Sequence, residues 1–352
     1  MKDMNMANNS RKNDLGKEDK MDTLRPQTLE DFKGQPDVTR ELRIVLQAAK
    51  ERDELCDHIL LSGPPGLGKT TLAQIVANEL SLTYVPVSGP AIEKPGDLAS
   101  ILSGLGDRSL LFIDGIHRLP RVAEEVLYTA MEDNRLDIVV GDGLKARAVS
   151  LRLNRFVLVG ATTQAGLLSA PLRDRFGYAP RLRLYNEESL AGIVQRSSKI
   201  LGIEIDRDGA LAVSMRSRGT PRIANRLVRR VRDWAQIEKV EKIKAEHVVL
   251  AAEAFGIDDK GLDQTARDIL RALCTTFSGA PVGLNTLAAS VGEAPNTVEE
   301  VYEPYLMHLG MLARTPRGRI PTFGAYQHLG LRPIGVAIEA AVDQPQLEFE
   351  EE

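Results

Sequence analysis

Apolar residues follow two rhythms between about residues 38 and 163, and a single rhythm after residue 186. His58-Ile59-Leu60-Leu61-Ser62, Ser109-Leu110-Leu111-Phe112-Ile113-Asp114 and Phe156-Val157-Leu158-Val159-Gly160-Ala161-Thr162-Thr163 are short continuous apolar runs of buried-strand type. Tyr84-Val85-Pro86-Val87 reads as another strand, and Arg181-Leu182-Arg183-Leu184-Tyr185 as a last alternating one. Between them, residues 38–52, 71–80, 98–105 and 123–132 carry apolar side chains at helical spacing. Strands alternating with helices predict a parallel sheet with helices on both faces. Leu136–Val140 and Ala146–Leu153, joined by Gly141-Asp142-Gly143, predict a hairpin.

Beyond Asn186 only the helical rhythm remains, over 187–201, 208–218, 220–236 and 245–255, with Thr220 as N-cap and Pro221 at the first helical position. A polar joint at 258–261 leads to helices at 264–277, 286–291 and 297–309. The third is expected to start on a capping box of Asn296 and Glu299 and to bend at Pro304. Met311–Ile320 then holds two short strands around Arg314-Thr315-Pro316-Arg317-Gly318-Arg319. Three helices and a basic hairpin describe a winged helix. The expected division is a disordered segment 1–20, a large α/β domain 21–185, a small all-α domain 186–257, a winged-helix head 258–334 and an acidic tail 335–352.

Composition narrows the picture further. With 352 residues and 43% hydrophobic content the chain can build two or three cores. Its net charge of −4 excludes an indiscriminately basic coat for nucleic acid, so any DNA contact must come from local patches. Cys56 and Cys274, far apart, form neither a metal motif nor a disulfide framework. No apolar stretch approaches the ~18 residues that span a bilayer. The first twenty residues lack the apolar core of a signal peptide. A cytoplasmic home is expected.

Candidate chemistry begins at Gly63-Pro64-Pro65-Gly66-Leu67-Gly68-Lys69-Thr70, a complete G-x-x-x-x-G-K-[ST] loop between a strand and a helix. Gly66 and Gly68 let backbone N–H groups approach phosphate oxygens at a helix N-terminus. Lys69 would reach the β- and γ-phosphates and the Thr70 hydroxyl would bind Mg²⁺. These residues predict binding of a nucleoside triphosphate. Asp114 ends a strand expected beside the loop strand, where a carboxylate holds Mg²⁺ through water. Thr162 and Thr163 read equally as γ-phosphate sensors or as a plain strand end, and His117 as a surface histidine. Arg175, with Arg173 around Asp174, is either a surface salt bridge or an arginine finger for a neighbouring site. Arg222 stands in the first turn of a helix, where the dipole disfavours a cation, which favours an anionic partner such as phosphate. Arg314, Arg317 and Arg319 form a compact cationic point without nearby acids, either a solvated turn or a phosphate contact in a DNA groove.

Taken together, these stretches resemble the RuvB family, bacterial Holliday-junction branch-migration motors of the AAA+ class. The resemblance runs from Leu24-Arg25-Pro26 to about Gly330. It rests on Gly63–Thr71, Ile113–Leu119, Glu124–Asp133, Gly160–Thr163, Pro171–Gly177, Gly219–Leu227, Pro281–Gly283, Val301–Leu306 and Arg314–Arg319. It also takes in Asp31-Phe32-Lys33-Gly34-Gln35, and it implies an AAA+ P-loop parallel-sheet domain, a small all-α lid and a C-terminal winged helix, assembled as a homohexamer on double-stranded DNA at Holliday junctions. ATP and Mg²⁺ are the implied cofactors, RuvA the implied partner, and RuvC an indirect one in recombination and repair. By position, Leu24, Arg25 and Tyr185 would line the adenine side. Gly66, Lys69, Thr70 and Thr71 would hold phosphates, with Thr70 and Asp114 on the metal. The Glu132, Asp133 and Asn134 backbone would contact nucleotide, and Thr163 would serve at the γ-phosphate. Arg175 would act in trans, Arg222 as sensor, and Arg314 and Arg319 on DNA. The 136–153 hairpin would dock RuvA through Leu136, Ile138 and Val140. Where the family shows Asp-Glu this chain has Asp114-Gly115, which leaves a competing reading: an ATP-gated DNA scaffold that scarcely hydrolyses. A clamp-loader-type ATPase is a second alternative, which the winged head disfavours. The family also often carries arginine where this chain has Pro295.

Overall fold

The structure, a computed structural model, describes residues 24–140 and 147–333, with hairpin side chains described up to Asp137 and from Val149. The expected tails 1–20 and 335–352 and the turn 141–143 lie outside these residues. Along the first part come α1 (Pro36–Arg52), β1 (Ile59–Ser62), α2 (Lys69–Glu79), β2 (Thr83–Ser88), α3 (Pro95–Ser103) and β3 (Ser109–Asp114). They are followed by α4 (Arg121–Asp133), β4 (Arg135–Val140), β5 (Arg147–Arg152), β6 (Phe156–Thr162), α5 (Ala170–Asp174) and α6 (Glu187–Ile200).

The main sheet is parallel in the order β1-β6-β3-β2. All seven residues of β6 are buried, as a strand with neighbours on both edges requires. Asp114 therefore does not lie on the strand beside the phosphate loop. β6 intervenes, with Thr162 opposite Ser62 and Ala161 opposite Asp114. β2 is an edge strand, which is why it tolerates Pro86. The alternating run at 181–185 is not a strand. Residues 178–182 run beside β1 through single bridges at Tyr178 and Arg181, and Pro180 has no N–H to continue a ladder. Leu98 and Leu102 of α3 and Ala123, Leu127 and Ala130 of α4 pack with Leu111, Ile113 and Leu158 of the sheet. Each such fully buried leucine contributes roughly 1.5–3 kcal/mol.

By compactness the chain forms two units: residues up to 205 with 219–225, and residues 206–218 with 226 onward. Asn186 caps α6 by accepting from Ser189 N at 2.8 Å. In the second unit α7 (Arg207–Met215) packs on α9 (Ala245–Ala254); α8 (Pro221–Ile237), whose residues up to 225 belong to the first unit, begins at the expected proline. Arg218, 5% exposed, donates to Gly261 O at 2.7 Å, pairs with Asp263 at 2.9 Å and lies near the Tyr302 and Tyr305 rings.

The head continues with α10 (Gln264–Arg271), α11 (Leu284–Ser290), α12 (Glu303–His308), the hairpin β7 (Leu312–Thr315) and β8 (Gly318–Pro321), and α13 (Phe323–Leu329). Leu270, Leu273, Leu287, Val298, Leu306 and Tyr326 form its core. The third head helix departs from expectation. It starts at Pro295 behind Ala294 with no side-chain cap, so Asn296 and Glu299 make no capping box. Proline is preorganised for the first helical position, and it sets the start. Val298–Tyr302 is π-helical ahead of Pro304. Pro304 cannot donate to the preceding turn, and the wider turn absorbs the mismatch.

Candidate nucleotide site and nucleic-acid interface

Gly63 N donates to Thr162 O at 3.2 Å, which fixes the start of the phosphate loop against β6. Gly66 and Gly68 have φ of +82° and +97°, in the left-handed region open to glycine. A Cβ on Gly68 would sit 2.9 Å from the Phe32 ring, and one on Gly66 would sit 3.1 Å from Arg222 Cβ. α2 begins directly after this loop with no side-chain cap and no acid in its first turn. Its first amides therefore offer donors to an anion. Lys69 is 8% exposed, and its Nζ donates to Gly63 O at 2.7 Å and Pro64 O at 2.8 Å. Thr70 and Thr71 are half-buried in the same turn. Closely walled glycines, uncapped amides and a buried ammonium fit a polyphosphate. A hydroxyl at Thr70 and an exposed carboxylate at Asp114 are oxygen donors of the kind hard Mg²⁺ takes.

The walls come from distant segments. Arg222 N donates to Gly66 O at 3.3 Å, so the first turn of α8 lies on the loop, and its exposed side chain has no ion-pair partner among the described residues. Tyr185 is buried; its ring covers Gly34 and its hydroxyl donates to Leu67 O at 3.1 Å, while burial raises its pKa. Leu24 is buried with its carbonyl accepting from Arg196 at 2.8 Å, and Arg25 is exposed. Burial pushes the Tyr84 hydroxyl up to about 12; nearby Arg25 opposes the shift and Asp114 adds to it. Two contributors were missed from sequence. Phe32 packs on Gly68, and Gln35 ties the approach to the 183 backbone by donating to Arg183 O at 2.7 Å and accepting from Arg183 N at 3.2 Å. Both lie in the stretch Asp31-Phe32-Lys33-Gly34-Gln35, part of the family resemblance, but neither is a residue type that phosphate chemistry singles out.

At the end of β6 the buried Thr162 hydroxyl accepts from Gln164 N at 2.9 Å and bonds His117 Nδ1 at 3.0 Å. His117 is thus half-buried and tied to the strand, not a loose surface histidine. Thr163 next to it is half-buried. Gly115 has φ +70°, and a Cβ there would meet nothing closer than Pro90 Cδ at 3.7 Å.

Arg175 and Glu132 come together. The guanidinium donates to Glu132 Oε2 at 3.1 Å and to Pro171 O at 2.7 Å, 4.6 Å from the Tyr128 ring centroid. Asp133 pairs with Arg135 at 3.5 Å, and Asn134 closes α4 in a left-handed conformation.

Two expectations about surfaces are corrected. The wing arginines do have acids beside them. Arg314 and Arg319 are cross-strand partners that both pair with Glu303 and Glu299, acids 11 to 20 positions back in the chain that the fold carries alongside. Arg317, exposed at the turn, has no ion-pair partner among the described residues. On the hairpin, Leu136 is 2% exposed and belongs to the core, while Val149 and Leu151 on the pairing strand lie on the same face, Leu151 directly opposite Leu136, and each keep 39% exposure. The side chains of Ile138 and Val140 lie outside the described residues.

Comparison with known proteins is extensive. Residues 24–182 match the Holliday junction DNA helicase RuvB P-loop domain, 185–258 the RuvB AAA lid domain and 259–330 the RuvB C-terminal winged helix domain. The chain is 52% identical over 309 residues to the Holliday junction branch migration complex subunit RuvB of Pediococcus pentosaceus, covering 88% of this chain and 92% of that one. It is likewise 52% identical to the subunit of Limosilactobacillus reuteri, covering 88% and 91%. Among solved structures, the Thermotoga maritima RuvB Holliday junction branch migration motor is similar at a TM-score of 0.80 and 47% identity, over 88% of this chain and 99% of that one. Three consecutive domain matches, in an order that accounts for sheet, lid and wing, leave one conclusion: the chain belongs to the RuvB family.

Proposed function

We propose that this chain is an ATP-driven DNA translocase that moves Holliday junctions in recombination and repair. The carrying observation is the phosphate loop at an uncapped helix N-terminus, with the Arg222 turn laid directly on Gly66. In this reading Lys69 and the first amides of α2 hold the phosphates, and Arg222 senses the γ-phosphate. Thr70 and Asp114 hold Mg²⁺, which neutralises charge on the phosphate oxygens. Leu24, Arg25 and Tyr185 frame the base, and Thr163 lies at the γ-phosphate end.

Arg175 from a neighbour in a homohexamer completes each site, with the Glu132–Asn134 segment at the same interface. Arg314 and Arg319 grip duplex phosphates, and the partly exposed Val149 and Leu151 dock RuvA, with RuvC an indirect partner. The ATPase sheet, the helical lid and the winged head work as three parts, their boundaries near 185 and 257. The motor works in the cytoplasm in this reading. No helix among the described residues is long and apolar enough to cross a membrane.

The scaffold reading raised by Gly115 finds no support among the relatives, whose names describe branch migration. DNA-stimulated ATP turnover of this chain and of Gly115→Glu separates the two. Rates within about tenfold of each other are expected. A gain approaching the 10²–10⁴-fold typical of general-base assistance would favour the scaffold.

A further inference from the structure

We propose that Glu303 is the positioning residue of the wing, holding Arg314 and Arg319 as one preformed, two-pronged phosphate clamp. This rests on the reading that those arginines contact DNA. The β7–β8 register sets Arg314 directly opposite Arg319, and like charges in that arrangement repel. Glu303 resolves the conflict by binding both guanidinia at once, its Oε2 also accepting from Arg319 Nη2 at 3.4 Å. Oε2 accepts from Arg314 Nε at 2.6 Å, and Oε1 accepts from Arg319 Nε at 2.8 Å. Its side chain has no exposed surface, so it meets no DNA itself, while the Arg314 side chain keeps 41% exposure and Arg319 15%.

An arginine carries five donors in a rigid fork. Here the Nε side of each fork is braced from beneath, and neither Nη1 has a carboxylate partner among the described residues. Glu299 touches only the Nη2 groups, at 3.3 and 3.7 Å. The helix is built to aim Glu303 inward. A π turn ends at Tyr302, immediately before it, and one extra residue in a helix rotates the next turn by about 100°. Glu303 thereby shares the buried face with Leu306.

Anisotropy of a labelled duplex, titrated with full chain and saturating ATP across a salt series, tests this. Glu303→Gln should bind about tenfold more weakly. Its slope of log affinity against log salt should shrink by about 2, as two phosphate contacts go. Glu303→Asp keeps the charge but withdraws it by one methylene, and should also weaken binding. Glu299→Gln should bind at least as tightly as the unmodified chain. In an Arg314→Ala/Arg319→Ala background, Glu303→Gln should cost nothing more.

Removing an acid near DNA strengthens binding on electrostatics alone. Unchanged or tighter binding by Glu303→Gln, or unmodified affinity in Glu303→Asp, therefore overturns the proposal. So does a loss that persists in the arginine-free background, which would mark a structural role. If the double alanine variant itself keeps full affinity, the DNA reading has failed, and the clamp with it.

Discussion

His58 must be neutral for the folded chain to satisfy it. Its Nδ1 accepts from Leu158 N at 2.9 Å, and its Nε2 lies 3.2 Å from Met131 O, so only the tautomer carrying hydrogen on Nε2 serves both partners. Burial lowers its pKa below the ordinary 6.5, as enclosure of a cation should. Below that ordinary value the unfolded chain binds more protons than the folded one, and stability falls with pH until the lower folded pKa is passed. The melting temperature should therefore drop as pH goes from about 7.5 to 5.5, and His58→Gln, which can donate and accept at the same points, should flatten the profile. An unchanged slope would show that other groups carry the acid sensitivity. The loop makes a different demand. Gly66→Ala puts a side chain at φ +82° and 3.1 Å from Arg222 Cβ, a strain of about 1–2 kcal/mol that lowers the melting temperature and nucleotide affinity together. Lys69→Ala should leave folding nearly intact but weaken a fluorescent ATP analogue about 10- to 100-fold, the loss of a charge-assisted contact.

Among the elements, the two strands of the hairpin β4–β5 are unequally buried on one face of the ladder. Leu136 is core, and Leu136→Ala should cost about 2–5 kcal/mol in denaturant unfolding. Val149 and Leu151 on the same face keep 39% exposure, and in the proposed reading Val149→Asp/Leu151→Asp should spare the melting temperature while abolishing pull-down of RuvA. Retained RuvA binding would move the docking surface elsewhere. That division shows what sequence could and could not supply. The phosphate loop was legible because its chemistry is local: glycines, lysine and threonine must be adjacent to line one turn. Helices such as Pro36–Arg52 and Pro221–Ile237 were legible because burial on one face imposes a period. Sheet order was not legible. Continuous apolar runs report burial on both faces, which β3 and β6 share, and do not name the neighbour; hence β6 rather than β3 stands beside β1. The wing acids were hidden for a related reason, since Glu303 lies 11 and 16 residues from the arginines it binds.

At the scale of the whole molecule, the proposed ring turns on which chain's site Arg175 serves. Within its own chain the guanidinium is held by Glu132, Pro171 and the Tyr128 face, and its side chain keeps 22% exposure. A cation fixed by three contacts and still reaching solvent is suited to act on a neighbour's phosphates, since its placement costs little ordering at the moment of assembly. Mixing decides the matter. Lys69→Ala chains lose the phosphate grip but keep the finger, whereas Arg175→Ala chains keep the grip and lose the finger. Each alone should fall about 10³-fold or more in turnover. In randomly mixed rings at equal amounts, half of the sites bind ATP and half of those adjoin a chain with its finger intact. Turnover should then recover to about a quarter of the unmodified rate if sites act independently. A finger working only within its own chain leaves no intact site in any mixture, so activity that stays at the level of the separate variants would place Arg175 in cis.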